Sequence, residues 1–249
     1  MPELPLLRLA MWSGPRNIST AMMRSWGNRA DTMVVDEPLY AFYLKATGKN
    51  HPMAQEIITS GETDWRKVAA GLTTKEVGQD NKHARIHYQK HMTHHLLPEV
   101  DRSWLANLTH CFLIRDPAEV IASYLRKNEE MSFEDLGFGQ QAEIFDWVKE
   151  RSGKTPPVID ARDVLQNPER SLRLLCRAVE VEFDLAMLSW PPGLRASDGV
   201  WAKHWYHEVA QSTGFAPYRA ERAVVPAPWR EIEARCRECY ERLSSFRLG

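Results

Sequence analysis

Short runs of consecutive apolar residues alternate along this chain with longer segments in which apolar residues recur every three or four positions. Leu7–Trp12 is the first run, closed by a Ser13-Gly14-Pro15 turn signal, and Ile18, Ala21, Met22, Ser25 and Trp26 follow at helical spacing. Thr32–Asp36 reads as a second strand. Ala41 to Leu72 is mixed and weakly helical, broken by Gly48, Pro52 and Gly61, and Glu76 to Lys82 reads as a polar surface loop. Ile86 and Tyr88 alternate with polar residues as in a strand. Thr109–Ile114 is a near-continuous apolar strand, with Asp116 as the cap and Pro117 as the first residue of the next helix. Ser132 to Arg151 is amphipathic at helical period, with Gly137 and Gly139 inside it; Val158–Asp160 is a last strand, followed by helices over Pro168–Val179 and Trp229–Phe246. Strands alternating with helices through short connections predict a three-layer α/β/α fold on a mainly parallel sheet. The expectation is one domain over 1–249, with residues from about 191 to 249 forming a mainly helical C-terminal cover.

Composition adds bounds. The 249 residues are 43% hydrophobic and 26% charged, enough for a buried core, and the formal charge of -1 speaks against a broad nucleic-acid or membrane-surface footprint. No stretch has the length and apolarity of a membrane span, and the N-terminus lacks the basic start and apolar run of a secretory signal. Four cysteines in a chain of this length do not make a disulfide framework, so the expected setting is the cytoplasm, and the near-zero net charge makes the expected partner a small molecule.

The chemistry gathers at strand ends. A strand, a tight loop and a helix over Leu7–Trp26 leave the first helix N–H groups pointing into the loop, where Arg16 adds a permanent positive charge and Asn17, Ser19 and Thr20 offer a cap and hydroxyl donors. That combination suits a phosphate or a sulfonate. Glu37 stands directly after the second strand and before Pro38, which makes it a candidate site carboxylate. Arg115 ends a buried strand, and Ser123 follows it by eight residues on the next helix, so a guanidinium fork and a hydroxyl can converge on one anion.

His83–His95 holds five histidines in thirteen residues, and His87, His91 and His95 would share a face if the stretch were helical. Its first half has strand period and no carboxylate or cysteine at matching spacing, so no metal is expected.

These stretches resemble the sulfotransferases of the P-loop superfamily that use 3′-phosphoadenosine-5′-phosphosulfate (PAPS). Pro15, Arg16, Ser19 and Thr20 match the family loop Pro-Lys/Arg-Ser-Gly-Thr/Ser-Thr, with Asn17 and Ile18 in place of its Ser-Gly. Arg115, Pro117 and Ser123 reproduce its 3′-phosphate signature. Lys90 matches the lysine of its Lys-x-His segment, where Met92 replaces the histidine. The resemblance implies metal-free, in-line transfer of a sulfonate from PAPS to a hydroxyl or amine of a small acceptor, leaving 3′,5′-adenosine bisphosphate. It implies a cofactor site of Pro15, Arg16, Asn17, Ile18, Ser19, Thr20, Arg115 and Ser123. Arg16 and Lys90 would stabilise the leaving phosphate, and Glu37, with His91 in reserve, would take the acceptor's proton. A small-molecule kinase would need Gly-Lys-Ser/Thr in the first loop and a magnesium-holding Asp, for which Asp36 alone stands ready; a catalytically silent nucleotide-binding protein is the other alternative.

Overall fold

The computed structural model describes residues 5–74, 83–219 and 223–249; the polar stretch Glu76 to Lys82 lies outside them. Five parallel strands, β1 (Leu7–Ser13), β2 (Thr32–Asp36), β3 (Ile86–Met92), β4 (Thr109–Ile114) and β5 (Val158–Asp160), form one sheet in the order β2-β3-β1-β4-β5. β1 is central, with neighbours on both sides and helices on both faces, which is why Leu9–Trp12 within it is an unbroken apolar run.

The chain connects these strands through α1 (Ser19–Gly27), then α2 (Tyr40–Thr47), α3 (Ala54–Ser60) and α4 (Trp65–Thr74). After β4 come α5 (Pro117–Leu125), α6 (Phe133–Leu136) and α7 (Phe138–Ser152). β5 leads to α8 (Ala161–Gln166) and α9 (Pro168–Ala178), then the short α10 (Ala202–Trp205) and α11 (His207–Gln211), and last α12 (Arg230–Ser244). Strand alternation divides the core. Leu9, Met11, Tyr88 and Leu113 pack with Met22 and Trp26 of α1, Tyr43 of α2 and Leu175 of α9, while Ala10, Trp12 and Phe112 pack with Leu72 of α4, Phe145 of α7 and Leu243 of α12.

One sequence expectation is refined. The amphipathic segment from Ser132 is two helices, because Gly137 takes a left-handed conformation at φ 70° that ends α6 and opens α7. A side chain at Gly137 would also collide with Thr93 Oγ1, and one at Gly14 would lie 2.7 Å from the Leu136 carbonyl oxygen, so the loop after β1 and the α6–α7 junction touch backbone to backbone. The α5 start is as expected: Asp116 accepts from the Ala118 and Glu119 N–H groups, with Pro117 in the first turn. At the far edge, the Leu248 N–H donates to the Val158 carbonyl at 2.8 Å, so the chain's last residues line β5. Among the described residues no helix is long and apolar enough to cross a membrane.

Candidate functional site

In a parallel sheet of this kind the crevice opens at the carboxyl ends of the strands, where connections from the central strand leave to opposite faces. Here β1 ends in the loop Gly14–Ile18, flanked by the ends of β4 on one side and of β3 and β2 on the other. Every candidate residue named from the sequence lies on these strand ends or on the helices they enter.

The loop is held from beneath. The Gln141 side-chain amide donates to the carbonyls of Trp12 and Leu113 at 3.1 and 3.0 Å, and Asn17 Nδ2 donates to the same Leu113 carbonyl at 3.1 Å. Asn17 Oδ1 accepts from the Ile18 N–H, so Asn17 ties the loop to β4 instead of capping α1, whose cap position is Ile18 without a side-chain bond. The leading N–H groups of α1, at Ser19, Thr20 and Ala21, have no intrahelical carbonyl before them and point toward the loop.

Arg16 is half-buried in a left-handed conformation at φ 56°, unusual for a residue with a side chain. Its Nε donates to Ser123 Oγ at 3.0 Å, and its carbonyl accepts from Arg115 Nη1 at 2.8 Å. The sequence-predicted Arg16, Arg115 and Ser123 therefore meet in one cluster, although about a hundred residues separate Arg16 from the other two in the chain. Arg115 Nε donates to Glu119 at 3.0 Å, so with Nη1 on the Arg16 carbonyl it is Nη2 that has no hydrogen bond among the described residues. Burial lowers the Arg16 pKa; attraction to Glu208 opposes this, and repulsion from Arg126 and Arg115 adds to it. Two guanidinium groups around a helix N-terminus, one of them partly desolvated, form a site that an anion relieves.

Across β1 lies an acidic counterpart. Lys90, 1% exposed, points from β3 to the same face as Tyr88, and its ammonium donates to Asp36 at 2.8 Å, to Glu37 at 2.6 Å and to the Tyr206 hydroxyl at 2.6 Å. Its three N–H bonds are thus committed to side chains, so Lys90 sits beside Glu37 with no donor left for a leaving phosphate. Tyr206 donates in turn to Asp36 at 2.7 Å and accepts from Trp201 Nε1, and the Gly199 N–H completes the Asp36 shell at 3.3 Å. Asp36, the only magnesium ligand the kinase alternative had available, is fully engaged.

Burial raises the Glu37 pKa, Lys90 pulls it back, and neighbouring Asp36 raises it again, for a net upward shift. Burial alone would depress Lys90, but Asp36, Glu37 and the Tyr206 phenol outweigh it and hold the ammonium well above the usual lysine value. Two carboxylates sharing one ammonium leave the second one under-compensated; that is Glu37, whose side chain keeps 12% exposure against 1% for Asp36. Its φ of 41° is again left-handed.

His91 is not part of this group. It follows Lys90 on β3 and so faces the other side of the sheet, stacked on Trp12 at 4.4 Å and bonded to Gln89, and burial pushes its pKa down to about 3. The histidine beside Glu37 is His95, in the single turn Thr93–His95 after β3, with Nδ1 4.0 Å from Glu37 Oε2. The sequence had no means of locating it, because the turn after Met92 breaks the strand period that would have assigned its face. The sequence offered Asp36 only as the magnesium ligand of a kinase, and it did not assign the Tyr206 hydroxyl to the charge cluster. Among the described residues no three His, Cys, Asp or Glu side chains are grouped to hold a metal ion.

The C-terminal part reaches into this site. Arg24 of α1 makes a bidentate buried pair with Asp198 at 2.5 and 2.6 Å, which fixes the segment carrying Gly199, Trp201 and Tyr206.

Comparison with known proteins places these features. Residues 7–227 match the sulfotransferase domain family. Two Arabidopsis thaliana proteins, branched-chain-amino-acid aminotransferase-like proteins 1 and 2, are 38% and 33% identical over 205 and 229 residues, which is 82% and 92% of this chain. The chain spans only 36% and 40% of their lengths. The sulfotransferase domain of the curacin biosynthetic pathway superposes with a TM-score of 0.60 at 17% identity, covering 99% of this chain and 100% of that one. The sulfotransferase domain of the Synechococcus PCC 7002 olefin synthase gives 0.57 at 16% identity, covering 96% and 97%. At such identities these structures share the fold.

Proposed function

Because this chain belongs to the sulfotransferase domain family, we propose that it moves a sulfonate from PAPS to a hydroxyl or amine of a small acceptor. The observation that carries the donor assignment is the convergence of Arg16, Ser123 and Arg115 at the N-terminus of α1. The residues fit an adenosine bisphosphate: loop N–H groups and Arg16 suit the 5′ side, and Ser123 with the free edge of Arg115 suits a 3′-phosphate. PAPS supplies a sulfonate whose transfer in line leaves negative charge on its bridging phosphate. Arg16 and the α1 amides stabilise that charge where it develops, and the remote 3′-phosphate contributes binding energy that fixes the donor's position.

Glu37 takes the acceptor's proton. Its raised pKa brings a carboxylate closer to the pH at which a base is useful, and Lys90 holds one of its oxygens, leaving the other to take the proton. Lys90 thus serves the base in this reading, and the leaving group belongs to Arg16.

Calorimetry tests the donor. The protein should bind 3′,5′-adenosine bisphosphate far more tightly than AMP or ATP, and Arg115→Ala should erase most of that preference, a loss of about 1.5 to 3 kcal/mol. Equal affinities for the three ligands would overturn the 3′-phosphate site. With labelled PAPS and a panel of alcohols, phenols and amines, Glu37→Gln should cut turnover about a hundredfold or more and leave bisphosphate affinity unchanged.

A further inference from the structure

The two oxygens of the Glu37 carboxylate are treated differently. Oε1 accepts from Lys90 at 2.6 Å, while among the described residues Oε2 has no hydrogen bond, and His95 Nδ1 lies 4.0 Å from it. That nitrogen is itself buried and without a partner. An orphaned buried imidazole nitrogen is costly unless some state of the protein satisfies it. The His95 ring is fixed in place: it stacks on Tyr40 at 4.6 Å with 8° between planes and on Tyr43 at 4.7 Å, and His94 meets it edge-on at 4.4 Å. Ring orientation is therefore set by packing, and Nδ1 is held toward the carboxylate.

We propose that His95 is a positioning residue for Glu37, whose Nδ1–H closes on Oε2 when the acceptor enters and fixes the direction in which that oxygen takes the proton. Catalytic hydrogen bonds are often long before substrate binds and shorten afterwards, and a movement of the Glu37 carboxylate by about 1 Å toward the packed ring brings 4.0 Å into hydrogen-bond range. The groups facing His95 from neighbouring elements are Glu37, Tyr40, Tyr43, His51, His94 and Lys90. Of these Glu37 alone is anionic and Lys90 alone cationic. Burial and the surrounding histidines hold His95 neutral, so it donates one N–H and adds no second cation that would quench the base. This role rests on Glu37 being the base.

Two substitutions separate the N–H from the ring. His95→Phe keeps the stack and removes the donor; His95→Asn loses the stack and keeps an amide N–H near the Nδ1 position. The readouts are turnover with the best acceptor of the panel, affinity for 3′,5′-adenosine bisphosphate, and titration of the Glu37 carboxyl carbon by 13C NMR in the unreactive complex with 3′,5′-adenosine bisphosphate and that acceptor, assigned with Glu37→Gln. His95→Phe should lose about tenfold or more in turnover, keep bisphosphate affinity, and move the Glu37 titration to higher pH. His95→Asn should recover most of the turnover and of the titration. His95→Ala makes the same comparison if the phenylalanine variant does not fold. Normal turnover in His95→Phe, or equal losses in both variants with the Glu37 titration unmoved, would make His95 a packing residue and overturn the proposal. Normal turnover in Glu37→Gln would remove the base itself, whereas an inactive Glu37→Gln beside an unaffected His95→Phe would sink this inference alone.

Discussion

Lys90→Met is the perturbation whose consequence the structure fixes best. Methionine matches the length of the lysine stem, so the change removes an ammonium without opening a large cavity. It leaves Asp36, Glu37 and the Tyr206 hydroxyl facing one another in a space where Lys90 was 1% exposed and Asp36 has only 1% of its side chain in contact with solvent. Breaking a buried ion pair by deleting one partner costs about 3 to 5 kcal/mol, because the remaining charge is desolvated and unpaired. In a domain of this size each kcal/mol moves the midpoint by about 2 to 4 °C, so a fall of roughly 6 to 20 °C at neutral pH is expected. The pH dependence is the sharper test. Glu37 is already raised with Lys90 present; without it the folded-state pKa rises further, while the unfolded value stays near 4.3. A carboxylate with a raised folded pKa destabilises fully above that pKa, and the penalty disappears as pH falls to the unfolded value. The gap between Lys90→Met and the parent should therefore narrow steadily from neutral pH toward pH 4 to 5. Thermal and urea melts of both proteins across that range measure it. A variant within about 2 °C of the parent, or a gap that stays constant with pH, would refute the account of Lys90 as the cation compensating two buried acids.

Burial pushes His91 and His94 down to about 3 and His110 to about 4, below the ordinary 6.5, so each stays neutral in the fold and is protonated first in the unfolded chain. Stability should thus be full above pH 6.5 and fall as pH drops below it, by up to about 1.4 kcal/mol per pH unit for each histidine; a urea midpoint that is flat between pH 7 and 5 would show that these rings are not kept neutral. The buried Arg24–Asp198 pair predicts about 3 to 5 kcal/mol lost in Arg24→Met and much of that recovered when Asp198→Leu is added. Additive losses in that double-mutant cycle would contradict the pairing.

Local signals carried much of the fold. Thr32–Asp36 is β2 with the bounds read from its apolar run, and Asp116-Pro117 opens α5 as a cap and a preset φ require. Arg115 and Ser123 were legible for the same reason: eight residues across a strand end and two helical turns is a local geometry, set before any tertiary contact forms. The strand order was not, since β3 enters beside β1 only through contacts between distant segments. Lys90 shows the limit most plainly. Its residue type and strand position were visible, but its three partners come from the end of β2 and from Tyr206, and a pattern of periods says nothing about which distant hydroxyl closes a charge cluster. Asn17 failed as a helix cap because its side chain found a stronger use in bridging to β4.

The strand order also arranges the charges. Reading across the sheet, Glu37 follows β2, Lys90 lies two residues before the end of β3, Arg16 follows β1 and Arg115 follows β4. Neighbouring strands lie about 4.8 Å apart, so the acidic end and the far arginine are three spacings, about 14 Å, from one another. Arg16 stands between them. A compact anion could engage only one end, whereas an elongated donor held at its remote phosphate by Arg115 would pass over the β1 loop and present its reactive end toward Glu37. The two left-handed residues serve that line. A non-glycine residue at positive φ costs on the order of 1 to 3 kcal/mol, and both Arg16 and Glu37, in the loops directly after β1 and β2, accept it. Arg16 is held there by the Arg115 bond to its carbonyl, and Glu37 by its N–H bond to the Lys90 carbonyl together with its carboxylate on the Lys90 ammonium. In each case the partner that holds the strained backbone also sets the charge beside it, so relaxing either residue would disconnect geometry and electrostatics together.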